Sequence, residues 1–278
     1  MIFAIGRLLF IFVMSVLCIV FGVFVVNLTG TQIQYPEIKH TFLAETSHII
    51  ADGGDLDLGP AQSPSAIEGA LKGGAVVQLK IRLTRDAKWV LYGPQRLEDL
   101  TTGSGFIAEL DQSSIKKVFF KKNSEPILLL DEVLSSHPSA HFIIEVIQPG
   151  AVGSAELLKT LQAFNAEERV VVTSPFLDTL KVLRKKSYKW LTGASTSEIS
   201  KSHFLSSIFL DSIMTLDADF FITKKHSARL FSELENRKKI IVLETDNVAQ
   251  YKSLITAHPF LRVLTTRPGY FAKQLIEP

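Results

Sequence analysis

The stretch AVVQLKIRL, residues 75–83, decides the fold. Like most of the strand-like segments of this chain, it is rich in apolar and β-branched residues, which is typical of a strand covered on both faces in a parallel sheet. Seven more runs of this type occur along the chain, and helix-length segments separate most of them. The predicted strands are 48–52, 75–83, 141–147, 169–174, 189–194, 220–223, 239–245 and 261–266.

Eight strands that alternate with helices predict an α/β fold, a (β/α)₈ TIM-like barrel. Periodicity alone leaves a doubly wound open sheet as the alternative. Ser63 as N-cap and Pro64 at the first helical position predict that a helix begins there. Nearly sixty residues separate the second and third strands. They predict an insertion over about 85–138, with 89–93 as a hairpin partner of the second strand, near the active-site mouth.

The N-terminal segment has a different character from the rest of the chain. Residues 8–26 contain no charge, and as a helix they would measure about 28 Å, close to the hydrocarbon core of a bilayer. The run is too long for a cleaved signal peptide, and VVNLTG gives no good cleavage site. It therefore predicts a transmembrane signal anchor over 8–27, a tether over 28–42 and a barrel domain over 43–278. With Arg7 as the one charge before the span, residues 1–7 are predicted to be cytoplasmic and the barrel exoplasmic, or periplasmic in a bacterium.

Composition excludes several classes of protein. With 46% hydrophobic and 21% charged residues, the chain is expected to fold and not to be disordered. A net charge of +2 gives no strong attraction to nucleic acid, and no nucleic-acid partner is expected. The single cysteine, Cys18, lies in the predicted anchor, so the barrel domain needs no disulfide. Membrane lipid is expected as a partner through the N-terminal helix, and a protein partner or a polar ligand could bind at the barrel mouth.

The order of several segments resembles the glycerophosphodiester phosphodiesterase family. IADGG at 50–54 resembles the HRG strand end, QLKIRLTRD the ELDV-x-L-T-x-D strand, and LEDLTTGSG the L-x-R-T-T-x-G-x-G loop. EPILLLDEVL resembles IPTLEEVL, FIIEV resembles NIEIK, and VLTTRP resembles IITDRP. The resemblance covers about residues 48–272 and implies a (β/α)₈ barrel with an insertion after the second strand.

The resemblance also implies where a catalytic site would lie. In the family, Ca²⁺ or Mg²⁺ is held by the ELD pair and the glutamate of NIEIK, and two histidines transfer protons. The metal-site positions correspond here to Gln78, Lys80 and Glu145, and the histidine positions to Asp52 and Tyr92. The phosphate-binding arginine and lysine correspond to Gly53 and Ile147. The resemblance therefore predicts no catalytic residue, metal or cofactor for this chain, since the family's reactive groups are replaced.

The chemistry of these replacements disfavours the family's reaction. One glutamate and a neutral amide make a poor site for a hard divalent cation, and an ammonium group nearby repels it. We expect Lys80 to supply the missing positive charge and to pair with Glu145, although it could instead point to solvent from the strand end. His48 and His141 begin their strands and are expected at the opposite end of the barrel.

Other motifs carry less information. Asp52, Asp55 and Asp57 in DGGDLDLG lack the spacing of a calcium loop, and a polar loop is favoured. The lysines of KKVFFKKN, 116–123, could contact anionic headgroups or could simply be a solvated face.

Three functions follow as hypotheses. The first is a membrane-anchored pseudoenzyme whose barrel mouth binds a polar ligand or a protein partner. The second is a divergent phosphoric diester hydrolase acting on glycerophosphodiesters or phospholipid headgroups through Asp52, Glu145 and Lys80. The third is an interaction module that uses the outer helices.

Overall fold

The computed structural model describes residues 2–30, 42, 47–150, 152–186 and 190–276. Residues 31–41, which make up most of the predicted tether, lie outside the described residues. Helix α1, Ile2–Gly30, contains the predicted anchor. Within the described ranges, however, no helix combines the length and the apolar character needed to cross a bilayer. The predicted transmembrane helix over 8–27 is therefore not supported.

All eight predicted strands are present, and each differs from its predicted bounds by no more than two residues. The structure has nine strands, because the predicted hairpin partner is also formed. They are β1 Ile49–Asp52, β2 Val76–Leu83, β3 Trp89–Leu91, β4 Phe142–Val146, β5 Val170–Thr173, β6 Leu191–Thr192, β7 Phe220–Thr223, β8 Ile240–Glu244 and β9 Arg262–Thr265.

The eight parallel strands form a nearly closed barrel. Their order in the sheet is β6-β5-β4-β2-β1-β9-β8-β7, so β6 and β7 are the two ends. These ends meet through a parallel bridge between Gly193 and Phe220. Two hydrogen bonds support it, from Ala194 N to Phe220 O and from Asp219 N to Thr192 O, each 2.8 Å long. The TIM-like barrel is thus confirmed in its coarse form, and the open doubly wound sheet is excluded.

Helices follow most of the strands and pack on the outside of the barrel. Ser63 caps the first of them, its side chain accepting a hydrogen bond from Ala66 N, as its sequence predicts. After α1, the helices are α2 Pro64–Lys72, α3 Gln112–Ile115, α4 Leu130–Ser136, α5 Ser154–Ala163, α6 Leu177–Lys186, α7 Thr196–Ser207, α8 Ala228–Asn236, α9 Val248–Ile255 and α10 Pro268–Ile276.

The barrel interior is filled from the N-terminal end. One inward-facing apolar side chain from each parallel strand forms a single buried cluster, with Phe42 packed against it: Ile50, Val76, Ile143, Val171, Leu191, Phe220, Val242 and Leu264. His48 and His141 lie at this end, directly before their strands, as expected. Because successive inward positions along a strand are two residues apart, the next layer toward the carboxyl ends holds Asp52, Gln78, Glu145, Thr173 and Glu244.

The excursion between β2 and β4 has a small core of its own. Strand β3 pairs antiparallel with β2, and the segment buries a separate cluster that includes Val90, Tyr92, Val118 and Phe120. Val118 and Phe120 belong to KKVFFKKN, and Lys121 of that motif donates to Glu98 O at 2.7 Å. Packing of the excursion thus accounts for Val118 and Phe120, whereas Phe119 between them is exposed.

Candidate functional site at the barrel mouth

A cavity of about 330 Å³ opens at the carboxyl ends of the parallel strands. This is the end at which TIM-barrel proteins place their active sites. Strand register brings the polar lining together, since Asp52 pairs with Gln78, Lys80 with Glu145, and Glu145 with Thr173. Of the positions that the sequence assigned to a site, the structure gathers Asp52, Gln78, Lys80 and Glu145 around this cavity.

Lys80 forms an ion pair with Asp52. Its Nζ lies 2.7 Å from Oδ1 and 3.0 Å from Oδ2 of that carboxylate. Both side chains are largely buried, with exposed fractions of 31% for Lys80 and 18% for Asp52. The lysine therefore does not point freely into solvent. It holds a fixed position in the mouth, where it is bound to Asp52. This aspartate occupies the position that corresponds to the family's first histidine.

The expected pairing of Lys80 with Glu145 is wrong. Glu145 accepts a hydrogen bond from Gln78 instead, with Nε2 and Oε2 separated by 2.7 Å. Glu145 acts on Lys80 only through space, as one of the carboxylates whose attraction favours the charged lysine. The long lysine side chain reaches toward β1 because Asp52 is a charged acceptor there. The neutral amide of Gln78 already donates a hydrogen bond to Glu145.

The electrostatics of the cavity follow from burial and from these contacts. Burial alone would lower the pKa of Lys80, but the Asp52 carboxylate, helped by Glu145 and Glu244, raises it above its ordinary value. Burial raises the pKa of Glu145, and the opposing effects of Lys80 and the Gln78 amide do not cancel this. The mouth thus keeps a charged ammonium and holds a carboxylate that resists ionisation.

Replacing Glu145 by glutamine is expected to stabilise the chain at neutral pH. The folded pKa of Glu145 lies above its ordinary value of 4.5, so its contribution is fully present below that value and is lost as pH rises through the folded pKa. The amide keeps an acceptor for Gln78 and buries no charge. We expect Glu145→Gln to raise the free energy of unfolding by about 1 kcal/mol at neutral pH.

Urea unfolding of both proteins over a pH series from about 4 to about 8 measures this difference. The gain should grow with pH, and it should vanish at the acid end of the series. A variant that is less stable than the wild type at neutral pH would contradict the prediction.

Two buried polar atoms of the lining have no hydrogen-bond partner among the described residues. They are Oε1 of Gln78 and Oγ1 of Thr173, in side chains that are 4% and 5% exposed. An unpaired buried polar group costs about 1–3 kcal/mol, and such groups are few in folded proteins. These two atoms therefore require an explanation.

Thr173→Val is expected to stabilise the chain in the absence of any ligand. Valine has nearly the same shape and removes the unpaired hydroxyl, so the free energy of unfolding should rise by about 1 kcal/mol. Thermal unfolding measures the change. Thr192→Val is the matched control, because the Thr192 hydroxyl accepts from Arg184 Nε at 3.1 Å and its removal should destabilise the chain.

Three positions assigned from the sequence lie outside the cavity lining. Tyr92 is buried in the excursion, where its hydroxyl donates to the carbonyl oxygens of Arg96 and Leu97 at 3.0 and 3.1 Å. Burial raises its pKa to about 12, so it stays protonated.

Gly53 adopts a left-handed φ of 73°, and a Cβ there would lie 2.9 Å from that of Ala61. Ile147 contributes its carbonyl oxygen to Arg82, at 3.3 Å. These residues shape the backbone around the mouth.

Among the lining residues that sequence reasoning missed, three lie at strand ends. Thr173 and Glu244 end their strands, and Lys224 directly follows β7. Lys224 pairs with Glu244 at 3.0 Å. The signal that identifies them is position, because polar side chains at the carboxyl ends of barrel strands face the mouth.

The lining does not suit a divalent cation. No group of three or more histidine, cysteine, aspartate or glutamate side chains arranged to hold a metal occurs in the part of the chain that the structure describes. The three positions that resemble the family's metal site hold an amide, an ammonium and one carboxylate. The lysine is bonded within the site, so it cannot move away to admit an ion without breaking its pair.

Comparison with known proteins agrees with the fold and the segment order. No family model matches the chain. A glycerophosphodiester phosphodiesterase from Caldanaerobacter subterraneus is 30% identical over 138 residues, which span 45% of this chain and 57% of that protein. The chain is similar to the glycerophosphodiester phosphodiesterase family in part of its sequence and in its fold. The match covers little more than half of the relative, and it assigns no activity by itself.

Solved structures with this family's fold cover most of the barrel. A glycerophosphoryl diester phosphodiesterase from Silicibacter pomeroyi superimposes with a TM-score of 0.70, at 12% identity over 86% of this chain and 98% of that one. An Oleispira antarctica phosphodiesterase, in complex with its product sn-glycerol-3-phosphate, has a TM-score of 0.67 and 14% identity, covering 84% of this chain and 98% of that one. At such identities the likeness establishes the glycerophosphodiester phosphodiesterase fold.

Proposed function

We propose that this chain is a glycerophosphodiester phosphodiesterase-like protein that has lost metal-dependent hydrolysis and acts as a binding domain. One observation carries the proposal: the ammonium group of Lys80 is held by Asp52 within the cavity where the family's cation and first histidine would lie. Phosphodiester hydrolysis needs charge neutralisation, an activated nucleophile and a proton for the leaving group. Gln78 and Lys80 stand where the family has its ELD carboxylate pair, and no histidine occurs among the described residues that line the cavity.

The replaced cation ligands and the new lysine both support the loss of metal-dependent hydrolysis. A drifting site would leave unpaired charges, and uncompensated buried charges are strongly destabilising. Here both replaced positions have a partner in the site, because Lys80 is paired with Asp52 and Gln78 donates a hydrogen bond to Glu145. A cavity remains above them. We therefore propose that the mouth is retained to bind a polar ligand or a protein partner.

An activity assay tests the proposal. The purified full chain, in detergent, is incubated with glycerophosphocholine and Ca²⁺ or Mg²⁺, and release of glycerol phosphate is followed. We expect no turnover above that of the buffer. Turnover that disappears on chelation and in Glu145→Ala would establish instead the divergent hydrolase. Turnover that survives both changes would point to a contaminating enzyme.

The location at a membrane is proposed from the sequence alone. We propose that residues 8–27 anchor the chain and that the barrel domain lies on the exoplasmic side, because the segment is uncharged and Arg7 precedes it. Alkaline carbonate extraction of membranes from expressing cells tests the anchor. Release of the chain into the supernatant would contradict it.

A further inference from the structure

The mouth cavity offers hydrogen-bond acceptors and no uncommitted cation. Gln78 Oε1 can only accept, and it has no partner among the described residues. Glu145 uses Oε2 to accept from Gln78, and its carboxylate receives no ammonium or guanidinium group. The Thr173 hydroxyl, in register with Glu145, is also without a partner in the described chain. These three groups come from β2, β4 and β5, on one side of the cavity.

The ammonium groups that line the cavity are already paired. Lys80 is bound by Asp52, and Lys224 by Glu244. Three carboxylates and two ammonium groups thus line the mouth, which leaves one formal negative charge when Glu145 is ionised. A phosphate is recognised by arginine or lysine or by free backbone N–H groups. The N-terminus of α7 beside the cavity is closed by its own capping box between Ser195 and Glu198. The charge of the cavity therefore has the wrong sign for a phosphate.

The size and the remaining lining limit the ligand further. About 330 Å³ is at the lower end of the range for small-molecule sites. Apolar side chains from the opposite strands, Ile222 and Leu264, complete the wall with Ile199 of α7. A ligand that fits has donors at one end and a few methylene groups at the other.

We propose that the cavity binds a small amino alcohol, whose ammonium and hydroxyl groups donate to Glu145, Gln78 and Thr173, and that it rejects phosphate. The assignment rests on the proposed function, because it gives the ligand class of a mouth that binds without hydrolysing. The ammonium supplies the positive charge that the cavity lacks, and its N–H groups satisfy the acceptors. The methylene carbons contact Ile222 and Leu264.

Calorimetric titration of the full chain in detergent tests the assignment, with three probes: ethanolamine, glycerol and inorganic phosphate. We expect ethanolamine to bind, glycerol to bind more weakly because it has no charge, and phosphate not to bind. Glu145→Gln keeps the shape and removes the charge, and it should weaken ethanolamine binding by about 10-fold or more. Thr173→Val should weaken it by a smaller factor.

Glu68→Gln is the matched control, because Glu68 pairs with Lys72 on the exposed face of α2, away from the cavity. It should leave ethanolamine binding unchanged. Binding of phosphate in preference to ethanolamine would overturn the assignment. So would the absence of ethanolamine binding, or equal affinities in the wild type and Glu145→Gln.

The activity assay separates failure of this assignment from failure of the proposed function. If the chain neither turns over glycerophosphocholine nor binds ethanolamine, the ligand class is wrong and the loss of hydrolysis stands. If it hydrolyses the diester, the proposed function is wrong, whatever the titration shows. Ethanolamine binding without turnover supports both.

Discussion

Gln78→Glu combined with Lys80→Asp is expected to give a chain that binds Ca²⁺ and depends on it for stability. The double substitution places two new carboxylates beside Glu145 and Asp52, which already line the cavity. Hard carboxylate oxygens from adjacent strands are the ligands that Ca²⁺ prefers. Without the ion, four carboxylates repel one another and the domain should lose stability.

The size of the effect follows from mass action. At a free Ca²⁺ concentration about 100 times the dissociation constant, binding adds about 2.7 kcal/mol to the free energy of unfolding. For a domain of this length, that raises the melting temperature by roughly 5–10 °C. Thermal unfolding in Ca²⁺ and in EDTA measures the difference. The wild-type chain should melt at the same temperature in both.

Lys159→Asp with Gln162→Glu is the matched control. It makes the same change in net charge on the exposed face of α5, outside the cavity. Its melting temperature should not depend on Ca²⁺. If the melting temperature of the Gln78 and Lys80 double variant also does not depend on Ca²⁺, the cavity carboxylates do not converge on one point. The cavity would then not correspond to the family's cation site.

Removing Lys80 alone is expected to be strongly destabilising. Lys80→Met deletes the ammonium and leaves Asp52 facing Glu145 and Glu244 without a counter-charge, so the free energy of unfolding should fall by about 2–4 kcal/mol. Asp52→Asn should cost less, since Glu145 and Glu244 still attract Lys80. The double variant should lose less than the sum of the single losses, with a coupling of about 1–3 kcal/mol. Urea unfolding of the four proteins measures this cycle.

An exposed lysine provides the comparison. Lys72 pairs with Glu68 on the surface of α2, with side chains 78% and 53% exposed. Lys72→Met should change the free energy of unfolding by no more than about 0.5 kcal/mol. If Lys80→Met costs as little as this, or if the cycle shows no coupling, the ion pair with Asp52 does not hold the mouth together.

The barrel could be predicted because its signal is local and repeated. Each apolar run of the AVVQLKIRL type indicates a buried strand by itself, and the excursion after β2 was visible as an unusual interval. Strand ends were less certain, since 189–194 became the two-residue strand Leu191–Thr192. There the backbone of Gly193 and Ala194 bonds to β7 by isolated contacts instead of a regular ladder.

The site was predicted only in part. Register along β2 and β4 correctly places Lys80 next to Glu145. The choice of partner depends on where a flexible side chain finds its best acceptor, which spacing does not encode. Tyr92 was assigned to the mouth by resemblance, but its large ring is buried in the excursion. Thr173 and Glu244 are ordinary strand ends in the sequence and become significant only when eight strands converge.

The join between β6 and β7 gives the barrel a seam. Elsewhere neighbouring parallel strands share ladders of two to five paired positions, but here one bridge at Gly193 and two backbone hydrogen bonds hold the edges. Regions with few backbone hydrogen bonds open first in local unfolding. Since Ala194 also borders the mouth cavity, we expect local opening at this seam to reach the wall of the cavity. The weakest join of the barrel thus lies beside its cavity, whereas β1, β2 and β4, which carry Asp52, Lys80 and Glu145, are joined by ladders of three and five paired positions.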